Sequence, residues 1–163
     1  MQFSEQSRVW IYQSDRQLND EQVKQLQELL SNFAAEWTAH NHRLKAKAEI
    51  RYNRFLILIV DESQAGASGC SIDKSVNFIK KLEQQFGINL LDRFNLAYKE
   101  GEKVLSAPRA EFEKLLKTGK INTNTVVYNN LVQNLAQLNT KWEVPFKDSW
   151  HQQLFGNLVA ADR

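Results

Sequence analysis

Cys70 is the only cysteine in the chain, and it sits in QAGASGCSIDKS (Gln64–Ser75), a run with two glycines and three serines. Small residues let backbone amides approach a ligand closely. The run follows the apolar stretch FLILIV (Phe55–Val60) and precedes a segment with helical apolar spacing. The first turn of such a helix offers unpaired N–H groups and positive dipole, which suit a phosphate, a carboxylate or a thiolate. Three chemistries follow. In the first, the amides of Gly69–Ile72 hold a small anionic ligand, Ser68 and Ser71 orient it, and Asp61 recruits a cation. Asp61, Ser68, Gly69, Ser71 and Asp73 are then the candidate binding residues. In the second, the dipole activates Cys70 as a nucleophile, with His40 as its base. In the third, Ser68, Ser71 and Asp73 simply cap the helix and Cys70 is a small packing residue. Asp73 works against the second, because a carboxylate in the first turn uses the same amides and repels a thiolate.

The other chemistry-bearing residues give weaker patterns. FLILIVDE (Phe55–Glu62) has the form of a Walker B strand, in which the aspartate holds Mg²⁺ and the glutamate positions water. Its partner, a G-x-x-x-x-G-K-[ST] loop, is missing: Asp73, not glycine, precedes Lys74-Ser75, and the loop follows the strand instead of leading it. ABC-type ATPase chemistry is therefore not expected. His40 and His42 lie two residues apart with no cysteine nearby, a poor metal pattern, and they read as exposed loop residues; no metal site is expected. Arg43, Lys45, Lys47, Arg51 and Arg54 form a basic stripe that Glu49 interrupts. It reads as a solvated strand face, since the glycine-aromatic pattern of RNA-binding sheets is absent. Trp142, Phe146, Trp150 and Phe155 cluster around Pro145 and read as a core cap, or as a docking seam for a second copy or another protein.

Elements must position these residues. Val9–Tyr12 is rich in β-formers. Asn19 followed by Gln22 is a capping-box pattern, and Val23, Leu26, Leu30, Phe33 and Trp37 give the next helix a buried face. Ala46–Asn53 alternates apolar and polar, as a half-exposed strand does, and Arg54–Val60 is a strand covered on both faces. Tyr52-Asn53-Arg54 joins them in a tight hairpin. Ile72, Val76, Ile79, Leu82 and Phe86 mark the second helix, and Gly87 ends it. Phe94, Leu96 and Tyr98 alternate in a fourth strand, with Lys103–Leu105 pairing back. Pro108 opens a helix ending near Gly119; Val127, Leu131, Leu135 and Leu138 mark another, and a last one starts at Asp148 or Ser149. The order predicts an α+β domain, a ferredoxin-like β-α-β-β-α-β sandwich with an extra hairpin strand. One domain is expected over 1–163, with a sheet core over about 8–106 and a helical extension over about 107–163.

Bulk properties bound the function. The chain has 163 residues, 42% hydrophobic and 25% charged, with a net charge of +2. That length suits one domain, and the near-neutral balance argues against a dedicated nucleic-acid partner. FLILIV is too short to span a bilayer, the first residues lack a signal-peptide pattern, and one cysteine forms no internal disulfide. A cytoplasmic protein with a reduced thiol is expected, and the sequence leaves any cofactor unknown.

At ASGCSIDKSV (Ala67–Val76), with EIRYNRFLILIVDE (Glu49–Glu62) before it and WEVP (Trp142–Pro145) and SWH (Ser149–His151) after it, the chain resembles a family of short bacterial proteins of unknown function. Members often carry the label "ABC transporter ATPase". The resemblance covers nearly the whole chain. It implies one compact unit and a bacterial, cytoplasmic protein, and it brings no catalytic residues with it.

Overall fold

Phe55–Asp61 (β5) is buried at every position, so both faces of this strand need cover, and the rest of the fold supplies it. The structure, a computed structural model, describes residues 2–160. Two strands flank β5 in an antiparallel sheet of order β1-β5-β4, with β1 at Arg8–Gln13 and β4 at Lys45–Arg51. Successive side chains alternate between faces. Leu56, Leu58 and Val60 therefore point one way, onto α1 (Asp20–Glu36) and α2 (Gly69–Phe86), where they meet Leu26, Leu30, Ile79 and Leu82. Phe55, Ile57 and Ile59 point the other way, onto a second sheet, where they meet Ala97, Val104, Tyr128 and Trp142.

That second sheet has the order β7-β6-β8-β9, from Asn95–Glu100 (β6), Lys103–Pro108 (β7), Val126–Tyr128 (β8) and Glu143–Pro145 (β9). Its outer face carries Leu96, Tyr98 and Val127, covered by Phe112 and Leu116 of α3 (Arg109–Lys117) and Phe155 of α5 (Trp150–Phe155). A short α4 (Leu135–Thr140) adds Leu138 to the layer between the sheets. The layers run helices, sheet, sheet, helices.

The α+β class expected from the sequence is what the structure shows. The strand arrangement differs from the ferredoxin-like one. β1, β5 and β4 pair antiparallel in the order that the first three strands of a ferredoxin-like sheet take, but β6, which would complete that sheet beside β1, pairs in the second sheet. The physical reason lies in β5: one face is satisfied by helices, and the other takes a sheet. The segment from Val127 to Leu138, expected as one helix, splits into β8 and α4, with Leu131 63% exposed between them.

Local signals act as their chemistry dictates. Asn19 and Gln22 form the reciprocal cap of α1, and Gly87 ends α2 at φ +62°. Tyr52 and Asn53 turn the β4–β5 hairpin at φ +55° and +51°. His40 and Asn41, at φ +50° and +68°, turn a small hairpin of β2 (Thr38–Ala39) and β3 (His42–Arg43). Both histidines are exposed.

Candidate functional site

The loop that drew attention in the sequence is built as a helix cap. Ser68 Oγ accepts from the Ser71 N–H at 3.1 Å, and Ser71 Oγ accepts from the Ser68 N–H at 2.7 Å. The Ile72 N–H is taken by the Ser68 carbonyl, and the Ser71 carbonyl accepts from the indole of Trp37 at 2.8 Å. Two of the four amides from Gly69 to Ile72 are thus consumed within the turn. Cys70 and Asp73 are exposed beside them. The Cys70 thiol makes no hydrogen bond to His40 or to any other described residue.

Asp61 is also engaged. Its Oδ2 accepts from the Ser4 N–H at 3.0 Å and its Oδ1 from the Ser63 N–H at 3.0 Å, with Lys45 Nζ 3.4 Å away. These donors, the Ser4 amide first, hold its carboxyl well below the usual carboxylate range. Asp61 pins the N-terminal segment to the end of β5. Glu62 accepts from the Ala67 N–H and pairs with Arg8 at 3.7 Å. Among the described residues, no group of three or more His, Cys, Asp or Glu is placed to hold a metal ion, and no helix is long and apolar enough to cross a membrane.

The larger opening lies elsewhere. A cleft of about 780 Å³ runs where both sheets end, along the outer edge of β1 and the start of β6. β1 is a terminal strand. The 133–135 segment covers only its first part: the Val9 N–H donates to the Gln133 carbonyl and the Leu135 N–H to the Ser7 carbonyl. Odd-numbered residues of β1 therefore turn their backbone groups away from β5. Beyond Val9, the N–H and C=O groups of Ile11 and Gln13 face the cleft with no backbone partner among the described residues. β6 meets β8 only at Tyr98, which leaves Asn95–Ala97 on the opposite wall.

A polar chain ties these walls together. The Trp142 indole donates to Asn130 Oδ1 at 2.9 Å, Asn130 Nδ2 donates to Gln13 Oε1 at 2.9 Å, and Gln13 Nε2 donates to the Asn95 carbonyl at 2.6 Å. It stops there. The Asn95 Nδ2 and the Trp150 Nε1, both on cleft-lining residues, are buried and find no acceptor among the described residues. His151 also lines the cleft; it is 1% exposed, meets Ser149 Oγ at 2.8 Å through Nδ1, and burial pushes its pKa down to about 3. It is therefore neutral at physiological pH.

A second feature escaped the sequence reading. Tyr52 and Tyr128 both donate to Glu143 Oε2, beside a pocket of about 400 Å³ lined by Arg51, Tyr52, Trp142 and Glu143. Burial works to raise the Glu143 pKa, but the two phenols together with the nearby Lys99 and Arg51 charges outweigh it and hold the carboxyl low. The Tyr52 phenol is raised first by that same hydrogen bond, and the Tyr128 phenol first by burial. Arg51 lies 5.5 Å from the Trp142 ring and Lys99 5.9 Å from Tyr52, so both rings already carry cations from the chain. The tight hairpin expected at Tyr52-Asn53-Arg54 was the one signal in the sequence that touched Tyr52.

No protein-family model, curated protein or solved structure matches the chain. The family resemblance rests on the residues quoted for it alone.

Proposed function

We propose that the protein is a binding protein whose site is the cleft along β1, and that its ligand brings hydrogen-bond acceptors into a trough of mixed apolar and polar lining. The observation that carries this reading is the pair of buried donors, Asn95 Nδ2 and Trp150 Nε1, that line one cleft without partners. A buried donor left unpaired costs about 1–3 kcal/mol, and an acceptor from a ligand would remove that penalty. Arg93 on the lining is offset by Asp92, and Arg8 is already paired with Glu62, so charge alone does not select the ligand. The cleft also touches α2 through Ile72 and Val76, one turn from the loop where the sequence suggested anion binding. Ligand pockets commonly combine an apolar lining with a few placed polar groups in this way.

The test is an NMR titration with a library of small amides and carboxylates. The Trp150 indole N–H and the Asn95 side-chain amide should shift on binding, while the Trp37 indole, already bonded to the Ser71 carbonyl, should not. Val76→Trp, which fills the cleft wall, should abolish the shifts. If no probe moves the two donors, or if Val76→Trp leaves the shifts intact, the cleft is not the site.

A further inference from the structure

We infer that the occupant of this cleft is an extended peptide from another protein that adds to β1 as a fourth strand of the first sheet. This rests on the cleft being the binding site. Three observations point to a strand in preference to a compact small molecule.

The first is backbone complementarity. Ile11 and Gln13 present N–H and C=O groups on a terminal strand, which is the template strand addition uses. Natural proteins usually blunt such an edge with charges, proline or a bulge. β1 (RVWIYQ) carries none of these beyond Arg8, and the chain's own 133–135 segment stops covering the edge at Val9.

The second is that the cleft wraps around the edge and opens on both faces of the sheet. An added strand would send alternate side chains to opposite faces. One set would meet Trp10, Ile72, Val76 and Leu90 on the α2 side; the other would meet Leu96, Val132 and Trp150 on the side of the second sheet. The first set is apolar, and the second mixes these apolar residues with Gln13, Asn95, Asn130 and His151.

The third is the pair of unpartnered donors on the far wall, Asn95 Nδ2 and Trp150 Nε1. The peptide's other backbone edge points toward that wall and is rich in carbonyl acceptors. The exposed side chain of Leu131 also lines the cleft.

The experiment is selection from a phage-displayed library of random octapeptides on the full chain, followed by titration of the selected sequences as synthetic peptides. Recovered peptides should alternate apolar residues. N-methylation of one alternate set of backbone amides, those facing β1, should weaken binding about tenfold or more, because each removes a hydrogen bond and adds a clash. Methylation of the other set should have a much smaller effect. Ile11→Pro removes one edge donor while sparing the β1–β5 ladder and should weaken binding similarly; Ile11→Val should not. If Ile11→Pro fails to fold, the two N-methylated series on the wild-type protein decide alone. Peptides equally tolerant of both series, or no enriched peptide at all, would overturn the inference. If small acceptor probes still shift the Asn95 and Trp150 donors in that case, the cleft remains a ligand site and only the strand occupant is lost; if they do not, both readings fall.

Discussion

Asn130→Ala tests how the cleft is held open. Asn130 joins the two sheets through its side chain, accepting from the Trp142 indole and donating to Gln13 at 2.9 Å each. The two atoms it serves, the Trp142 indole N–H and Gln13 Oε1, have no other partner among the described residues and are shielded from water: Trp142 is 3% exposed and Gln13 6%. Truncation leaves one donor and one acceptor buried, each costing about 1–3 kcal/mol. Asn130 itself is only half-buried, so water from the cleft replaces part of what is lost. The expected destabilisation is about 2–3 kcal/mol, near the low end of the sum. For a chain of this size that lowers Tm by about 4–12 °C. Calorimetry measures the total, and a cycle with Gln13→Leu isolates the coupling. The double variant should cost about 1 kcal/mol less than the sum of the singles, because Gln13→Leu already removes the acceptor that Asn130→Ala would orphan. A Tm within about 2 °C of wild type, or strict additivity with Gln13→Leu, would refute the reasoning and leave the network without a structural role.

Three further outcomes follow from the same geometry. Asp61 has a folded pKa below its unfolded one, so its contribution is complete above about pH 4 and fades as pH falls toward the folded value; in urea melts, the stability gap between wild type and Asp61→Asn should narrow as pH drops below 4, and a constant gap would contradict the assignment. His151, pushed down to about 3 by burial, takes up its proton in the unfolded chain first, so stability should fall as pH drops from about 6.5 toward 3, with a slope from this group of at most about 1.4 kcal/mol per pH unit; His151→Gln should remove that slope, and an unchanged pH profile would refute it. Ser68→Ala should cost about 1 kcal/mol through loss of the α2 cap, whereas Cys70→Ser should change stability by no more than about 0.5 kcal/mol, and thiol labelling of the native protein should go to completion because Cys70 is exposed.

The local chemistry of the fold was legible in the sequence because short-range rules decide it. Asn19 with Gln22, Gly87, and the Tyr52–Arg54 hairpin each act through neighbours only a few residues away. The run FLILIV announced a strand buried on both faces, but nothing in it says whether a helix or a second sheet lies on each side. That decision belongs to residues far along the chain: Ala97, Tyr128 and Trp142 cover Phe55, Ile57 and Ile59. β8 was unreadable for the same reason. Val127, Leu131 and Leu135 have helical spacing, yet Val126–Tyr128 pairs with β6 and β9, so tertiary pairing overrides the period. The loop at Ser68–Asp73 showed its capping residues plainly, but not that the caps bond each other. The cleft left no sequence signal at all, since it exists only where one strand's edge stays uncovered beyond Val9 and another's before Tyr98.

The most direct measurement of the central claim is amide hydrogen exchange along β1 in the free protein. Trp10 and Tyr12 face β5 in the ladder and should exchange slowly, near the global rate. Ile11, turned toward the cleft, should exchange much faster and become protected when a selected peptide is added. An Ile11 amide that is already as protected as Trp10 and Tyr12 would mean that the edge is covered in the free protein, and the account of the cleft as a binding site would be contradicted.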